Sequence, residues 1–233
     1  MESRIDPAPA AKDDAARREK TAVARSSVAA AVLLTGMKIV VGLLTGSLGI
    51  LAEAAHSGLD LIAAAMTLIA VSVSSRPADS NHPYGHGKFE NLSALLETVL
   101  LLVTCVWIVY EAVRRLFFRD VAVEASAWAF VVMGVSIVID LSRSRMLGRA
   151  AEKHHSQALE ADALHFSTDV WSSSVVVAGL ILVGLAHALR APWLAKADAV
   201  AALGVSAIVV LVSIALGKKT IADLLDGVPA TLR

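Results

Sequence analysis

Six long apolar stretches punctuate the chain, at about residues 22–45, 48–74, 90–118, 125–148, 158–188 and 194–217, with short polar or Gly- and Pro-bearing breaks between them. Each reaches or exceeds the roughly 20 residues that a helix needs to cross the hydrocarbon of a bilayer. Within lipid, every backbone N–H and C=O must find its partner inside the segment, and runs rich in Ala, Leu, Val and Ile do so as helices. The pattern therefore predicts an all-α membrane protein of six transmembrane helices. Thr45-Gly46-Ser47 reads as a tight first hairpin, Arg76-Pro77 ends the second helix, and Pro192 separates the fifth from the sixth. Residues 1–20 have no long apolar stretch and read as a solvated tail. The first apolar segment comes too late and runs too long for a signal peptide, so it is expected to stay as the first span.

Composition sharpens this picture. Of 233 residues, 56% are hydrophobic and 18% charged, with a mean hydropathy of +0.66, whereas a soluble domain carries about 25% charge. The 21 basic and 21 acidic residues cancel, which leaves no basic surface for nonspecific nucleic-acid binding. The apolar content excludes disorder. A single cysteine, Cys105, excludes an internal disulfide and a Cys-rich metal framework. With both termini on one side, fifteen Lys and Arg residues fall on that side and five on the other. The positive-inside rule then places both termini in the cytoplasm.

Ionisable residues inside spans mark sites or pathways. The second segment holds His56 and Asp60, and the fifth holds His165 and Asp169. Each His precedes an Asp by four residues, so each helix presents one imidazole and one carboxylate on one face. With 7 His and 12 Asp in the chain, chance placement gives about 0.4 such spacings. Both that occur lie in spans. Two facing helices of this kind close a His2Asp2 shell suited to tetrahedral zinc; the plainer alternative is that each pair is an internal hydrogen bond neutralising two stray polar groups. After the second segment, Asp79, His82 and His86 stand three and four residues apart beside Gly85 and Gly87. They form either a chelating set at the cytoplasmic mouth or a polar interfacial turn with Tyr84 at the headgroups. Asp140 is spaced to pair with Arg143, Glu97 to bond a neighbouring helix, and Lys38 to balance Glu53 or Asp140. His154 and His155 read as solvated, and the Gly42-x3-Gly46 spacing permits close helix approach.

Three motifs carry a family resemblance: GLLTGSLGILAEAAHSGLD over Gly42–Asp60, PADSNHPYGHGKFE over Pro77–Glu90, and EADALHFSTD over Glu160–Asp169. Through them, over about residues 20–228, the chain resembles the cation diffusion facilitator family of divalent-metal transporters, and its His-Asp, His-Asp combination resembles the zinc-type bacterial members. The resemblance implies a transport site at His56, Asp60, His165 and Asp169, and a second loop site at Asp79, His82 and His86. It also implies a structural or gating charge contact between Lys88 and Asp226. The expected organisation is a cytoplasmic tail at 1–20, a six-helix cation-efflux domain at 21–228 and a C-terminal stub at 229–233, with the soluble domain of the family absent. The expected function is a Zn2+/H+ antiporter of the bacterial inner membrane, likewise accepting Cd2+, Co2+ or Fe2+, and forming a homodimer. It is not expected to be an enzyme: catalytic zinc keeps an open position beside three ligands, whereas four are supplied here and no H-E-x-x-H occurs. A metal channel is the other rival, and a closed four-ligand shell would hold an ion too tightly for fast passage.

Overall fold

The computed structural model describes residues 8–117, 127–189 and 194–225, and all six expected helices are present: α1 Ala8–Thr45, α2 Leu48–Ser74, α3 Lys88–Phe117, α4 Ala127–His154, α5 Gln157–Leu189 and α6 Leu194–Leu224. Residues 14–45, 50–74 and 88–110 are each long and apolar enough, by length and composition, to cross a membrane. The fold is that of an all-helical membrane domain. α1 packs on α2 and α4, α3 on α6, α2 touches α1, α3, α4 and α5, and α5 touches α2, α3, α4 and α6, so α2 and α5 together form the middle of the bundle.

The connections follow from local chemistry. Gly46 adopts φ 66°, a left-handed conformation that glycine accepts at little cost, and Ser47 then caps α2 by accepting from the Ile50 amide. Of the two glycines in the Gly42-x3-Gly46 spacing, Gly42 is the one at a close α1–α2 approach: a Cβ there would meet Leu51 Cδ2 at 2.8 Å and the Leu51 amide nitrogen at 3.3 Å, while one at Gly46 would meet nothing within 4 Å. α4 ends in a Schellman arrangement, with His155 at φ 50° and the Ser156 amide donating to the Ala151 carbonyl.

One expectation is refined here and one is corrected. The polar segment before the first apolar stretch is helical, because α1 already begins at Ala8, though its residues 14–20 are mostly exposed, as a solvated segment should be. That sequence, rich in Ala, Lys, Arg and Glu, has high helix propensity, and its Pro9 sits in the first turn, where no amide donor is needed. His154, in contrast, is not solvated. Its side chain is only 10% exposed and lies 3.1 Å from Glu19, which also pairs with Lys153 at 2.6 Å.

The interior is made of small residues and polar groups. Ala64, Ala70 and Val71 of α2 meet Leu147 and Ala150 of α4 and Leu159, Ala163 and Phe166 of α5, and small side chains are what let helices approach in lipid. Large apolar side chains such as Leu33, Leu44, Val103, Trp107, Ile181 and Leu211 point outward, the inverse of a soluble protein. At one end of the bundle, Glu90 gathers three other elements. Its carboxylate accepts from Lys20 Nζ of α1 and Ser74 Oγ of α2, each at 2.7 Å, and from Ser156 Oγ between α4 and α5.

Removing this carboxylate leaves the Lys20 ammonium and two hydroxyls without their acceptor. Glu90→Ala is expected to destabilise the domain by about 2–4 kcal/mol, read as a melting temperature lowered by several degrees in detergent. An unchanged melting curve would show that the cluster holds nothing together.

Candidate metal centre

Consecutive helices of the bundle alternate in direction, so α2 and α5 run antiparallel. Their His-Asp pairs therefore meet head to tail, each imidazole facing the carboxylate of the other helix. His165 Nε2 lies 3.2 Å from Asp60 Oδ1, and His56 Nε2 lies 3.8 Å from Asp169 Oδ1. Within each helix the one-turn separations are 3.9 Å for His56 to Asp60 and 3.6 Å for His165 to Asp169. Four ligands on a tetrahedral ion with bonds of about 2.0–2.1 Å would stand about 3.3 Å apart; His56, Asp60 and Asp169 approach this as a set, whereas His165 is not part of that set and a four-ligand shell needs it to move in. One ligand atom each from His56, Asp60 and Asp169 already lies within 4.8 Å of the others.

The centre is buried on all sides but one. The side chains of Asp60, His165 and Asp169 are 12%, 5% and 10% exposed, against 38% for His56. Access to the site thus runs past the His56 imidazole. Around it, other polar groups are satisfied mostly by one another. Lys38 is buried and donates to Ser57 Oγ at 2.7 Å and to Glu53 at 3.3 Å, which decides its partner in favour of Glu53. Asp140 pairs with Arg143 at 3.1 Å, and Thr67 donates to Glu97.

Sequence reasoning missed the group that packs behind His165. Arg143 donates to Ser27 Oγ at 3.1 Å, Ser27 reaches Asp162 at 3.4 Å, and the Arg143 guanidinium lies 3.4 Å above the Phe166 ring. Phe166 in turn meets the His165 ring edge to face, with centroids 5.4 Å apart. This places one cation–π contact and one aromatic contact in series behind the imidazole. Asp162, three residues before His165, was the available signal, and it is fully buried. His165 Nδ1, Asp162 Oδ1 and Glu97 Oε2 are buried without a hydrogen-bond partner.

The loop residues also come together. Asp79 Oδ1 lies 3.3 Å from His82 Nδ1, and Oδ2 lies 3.4 Å from His86 Nε2, with the two rings 4.5 Å apart between centroids. These three side chains form the second group able to chelate an ion among the described residues. Asp79 also accepts from the backbone amides of Asn81 and His82, at 2.9 and 2.7 Å. Those amides, His82's first, hold its carboxyl below the ordinary value. The turn and the chelating set expected as alternatives thus share the same carboxylate. Lys88 donates to the Leu224 carbonyl at 3.1 Å, a cation at the C-terminal end of α6. Its expected partner Asp226 lies outside the described residues.

The chain is similar to several known proteins. An uncharacterized transporter of Synechocystis sp. is 34% identical over 200 residues, 86% of this chain and 62% of its own length. The cation-efflux pump FieF of Klebsiella pneumoniae is 32% identical over 209 residues, 89% and 66% of the two chains. The magnetosome protein MamB of Paramagnetospirillum magneticum is 30% identical over 195 residues, 84% and 63%. The chain thus spans less than two thirds of the length of these relatives. The family model of the cation efflux transmembrane domain matches residues 24–225, a stretch containing both candidate metal groups and all six helices' shared core, and the chain belongs to the cation efflux family.

Proposed function

We propose that this chain carries a divalent metal ion, zinc in the first place, across the membrane in exchange for protons, with His56, Asp60, His165 and Asp169 as the transport site. The observation that supports it is the crossed pairing of two imidazoles and two carboxylates between antiparallel helices. Two nitrogen and two oxygen donors suit zinc, and Cd2+, Co2+ and Fe2+ are the further candidates. Charge arithmetic supplies the coupling. With neutral imidazoles, two carboxylates and one Zn2+, the site is electrically neutral; with two imidazolium groups and no metal it is neutral again. The empty, deprotonated site would carry two negative charges inside lipid, an expensive state. Metal and protons therefore replace one another, because they compete for the same imidazole nitrogens.

The basic end of the bundle, with Lys20, Arg76, Lys88 and Lys153, is assigned to the cytoplasm of a bacterial inner membrane. Asp79, His82 and His86 then act as a weaker site at the cytoplasmic mouth, feeding the buried one. Lys88 clamps α3 to the end of α6 beside Asp226 as a structural contact, and the functional unit is a homodimer. Four protein donors leave no open position for catalysis, which disfavours an intramembrane zinc enzyme.

Zinc uptake into proteoliposomes under an imposed pH gradient tests this reading. Flux should saturate and rise with the gradient, and Asp60→Ala or Asp169→Ala should reduce it to background in protein that still inserts. Gradient-independent, non-saturating flux would establish a channel instead, and near-normal flux in either variant would remove the site assignment.

Selectivity gives a second test. His56→Asp replaces a nitrogen donor by oxygen, so acceptance of manganese relative to zinc should rise. If the ratio stays as in the parent protein, His56 is not a ligand.

The loop gives a third. Because the His82 and Asn81 amides lower the Asp79 carboxyl, the order it gives the turn is present above the unfolded-state value and lost only as pH falls through the depressed folded one. Hydrogen exchange at the Asn81 and His82 amides, corrected for intrinsic rates, should stay protected from pH 7 to 5. In Asp79→Ala that protection should be absent throughout. Loss of protection in the parent protein at pH 5 would contradict the assignment.

A further inference from the structure

α4 sends its arginines in two directions. Arg143 turns inward to Asp140 and Ser27, whereas Arg145 and Arg149 are exposed and make no ion pair or hydrogen bond among the described residues. These two side chains line a groove of about 620 Å3 between α1 and α4. Val138, Leu141, Arg145 and Arg149 recur at intervals of three and four, so they form one face of α4, and Val23 of α1 supplies the opposite wall. The groove therefore changes character along its length. It is apolar at Val138 and Leu141, polar at Ser142, and doubly cationic at its end, where Val23 lies between the Glu19–Lys153 and Ser26–Met146 contacts and so stands level with Arg149. Lys153 at the same rim is already matched by Glu19 at 2.6 Å, which leaves the two guanidiniums as the uncompensated charge. From Val138 to Arg149 the face runs about 16 Å at 1.5 Å per residue, enough for a phosphate headgroup and the upper part of an acyl chain.

We propose that the α1–α4 groove binds an anionic phospholipid, its phosphate held by Arg145 and Arg149 and its acyl chain lying along Leu141 and Val138. Guanidinium matches phosphate oxygens in a bidentate way that a diffuse positive surface does not. The polarity gradient distinguishes this groove from its neighbour on the other side of α1. That hollow, of about 530 Å3, is also bordered by arginines, Arg17, Arg18 and Arg25, and like the groove it has one acidic residue, but Ala22 is the only apolar residue in its wall. A free phosphate would use the arginines without the apolar wall; a lipid uses both. The site is separate from the metal centre and stands whether or not the transport reading holds.

The test uses the full chain in neutral detergent with phosphatidylglycerol or phosphatidylcholine added, counting retained lipid by native mass spectrometry. Phosphatidylglycerol should be retained preferentially, and Arg145→Gln/Arg149→Gln should weaken that retention about tenfold. A control that removes the same charge at the same end, Arg76→Gln/Lys218→Gln, should change it little. Leu141→Ser, which keeps every charge, should also weaken it, and both sets of variants are checked by melting temperature in lipid-free detergent. Should the arginine variant fail to fold, the Leu141 variant and competition by inorganic phosphate decide the matter. Equal losses in the two double variants would reduce the effect to diffuse electrostatics and overturn the site. So would equal retention of the two lipids, full retention in Leu141→Ser, or displacement by inorganic phosphate as effective as by short-chain phosphatidylglycerol.

Discussion

Placing charge inside a membrane is the constraint on which the rest of this structure depends. An ionisable side chain in hydrocarbon is tolerated when it faces the bundle interior and meets a partner there. Among the described residues most buried charged groups meet that requirement in separate clusters: Lys38 with Glu53 and Ser57, Asp140 with Arg143, Arg143 with Ser27, Ser27 with Asp162, Thr67 with Glu97, and the two His-Asp pairs with each other. These contacts link α1 with α2, α1 with α4 and α5, and α2 with α3 and α5. Because lipid tails are as apolar as leucine, burying apolar surface does little to select one helix arrangement over another. The polar pairs and the small-residue contacts make that choice.

The same constraint explains why α5, with α2, sits in the middle. It carries Asp162, His165 and Asp169, all nearly or fully buried, and no single neighbour could satisfy all three. α2 answers His165 and Asp169 with Asp60 and His56, while Ser27 of α1 answers Asp162. Alanines at 64, 70, 150 and 163 allow the helices to approach closely enough for these contacts. A bulkier interior would hold the carboxylates apart and leave them uncompensated.

A site held by crossed pairs between only two helices has a mechanical consequence. Any relative displacement of α2 and α5 separates all four cross-helix donor atoms together, so binding strength and helix position are coupled in one coordinate. Glu90, which gathers Lys20, Ser74 and Ser156 at one end, constrains how far that displacement reaches at the basic end. The half-buried His56 side chain lies on the more open side of the candidate centre.

Much of this was legible in one dimension. Helix number and most boundaries follow from apolar length and from turn chemistry at Thr45-Gly46-Ser47 and Arg76-Pro77, because backbone satisfaction in lipid leaves the chain one option. The four residues of the centre were legible through the repeated four-residue spacing, a property of a single helix. The sequence could not show which imidazole faces which carboxylate, since that depends on the antiparallel meeting of α2 and α5. Nor could it choose between Glu53 and Asp140 for Lys38, assign close packing to Gly42 and the turn to Gly46, or bring Ser27, Asp162, Arg143 and Phe166 together behind His165. Those pairings join residues far apart in the chain, whose partners exist only once the helices have packed. Local periodicity determined what each helix presents; tertiary packing decided what it is presented to, because in lipid the energy lies in the partner and not in the burial.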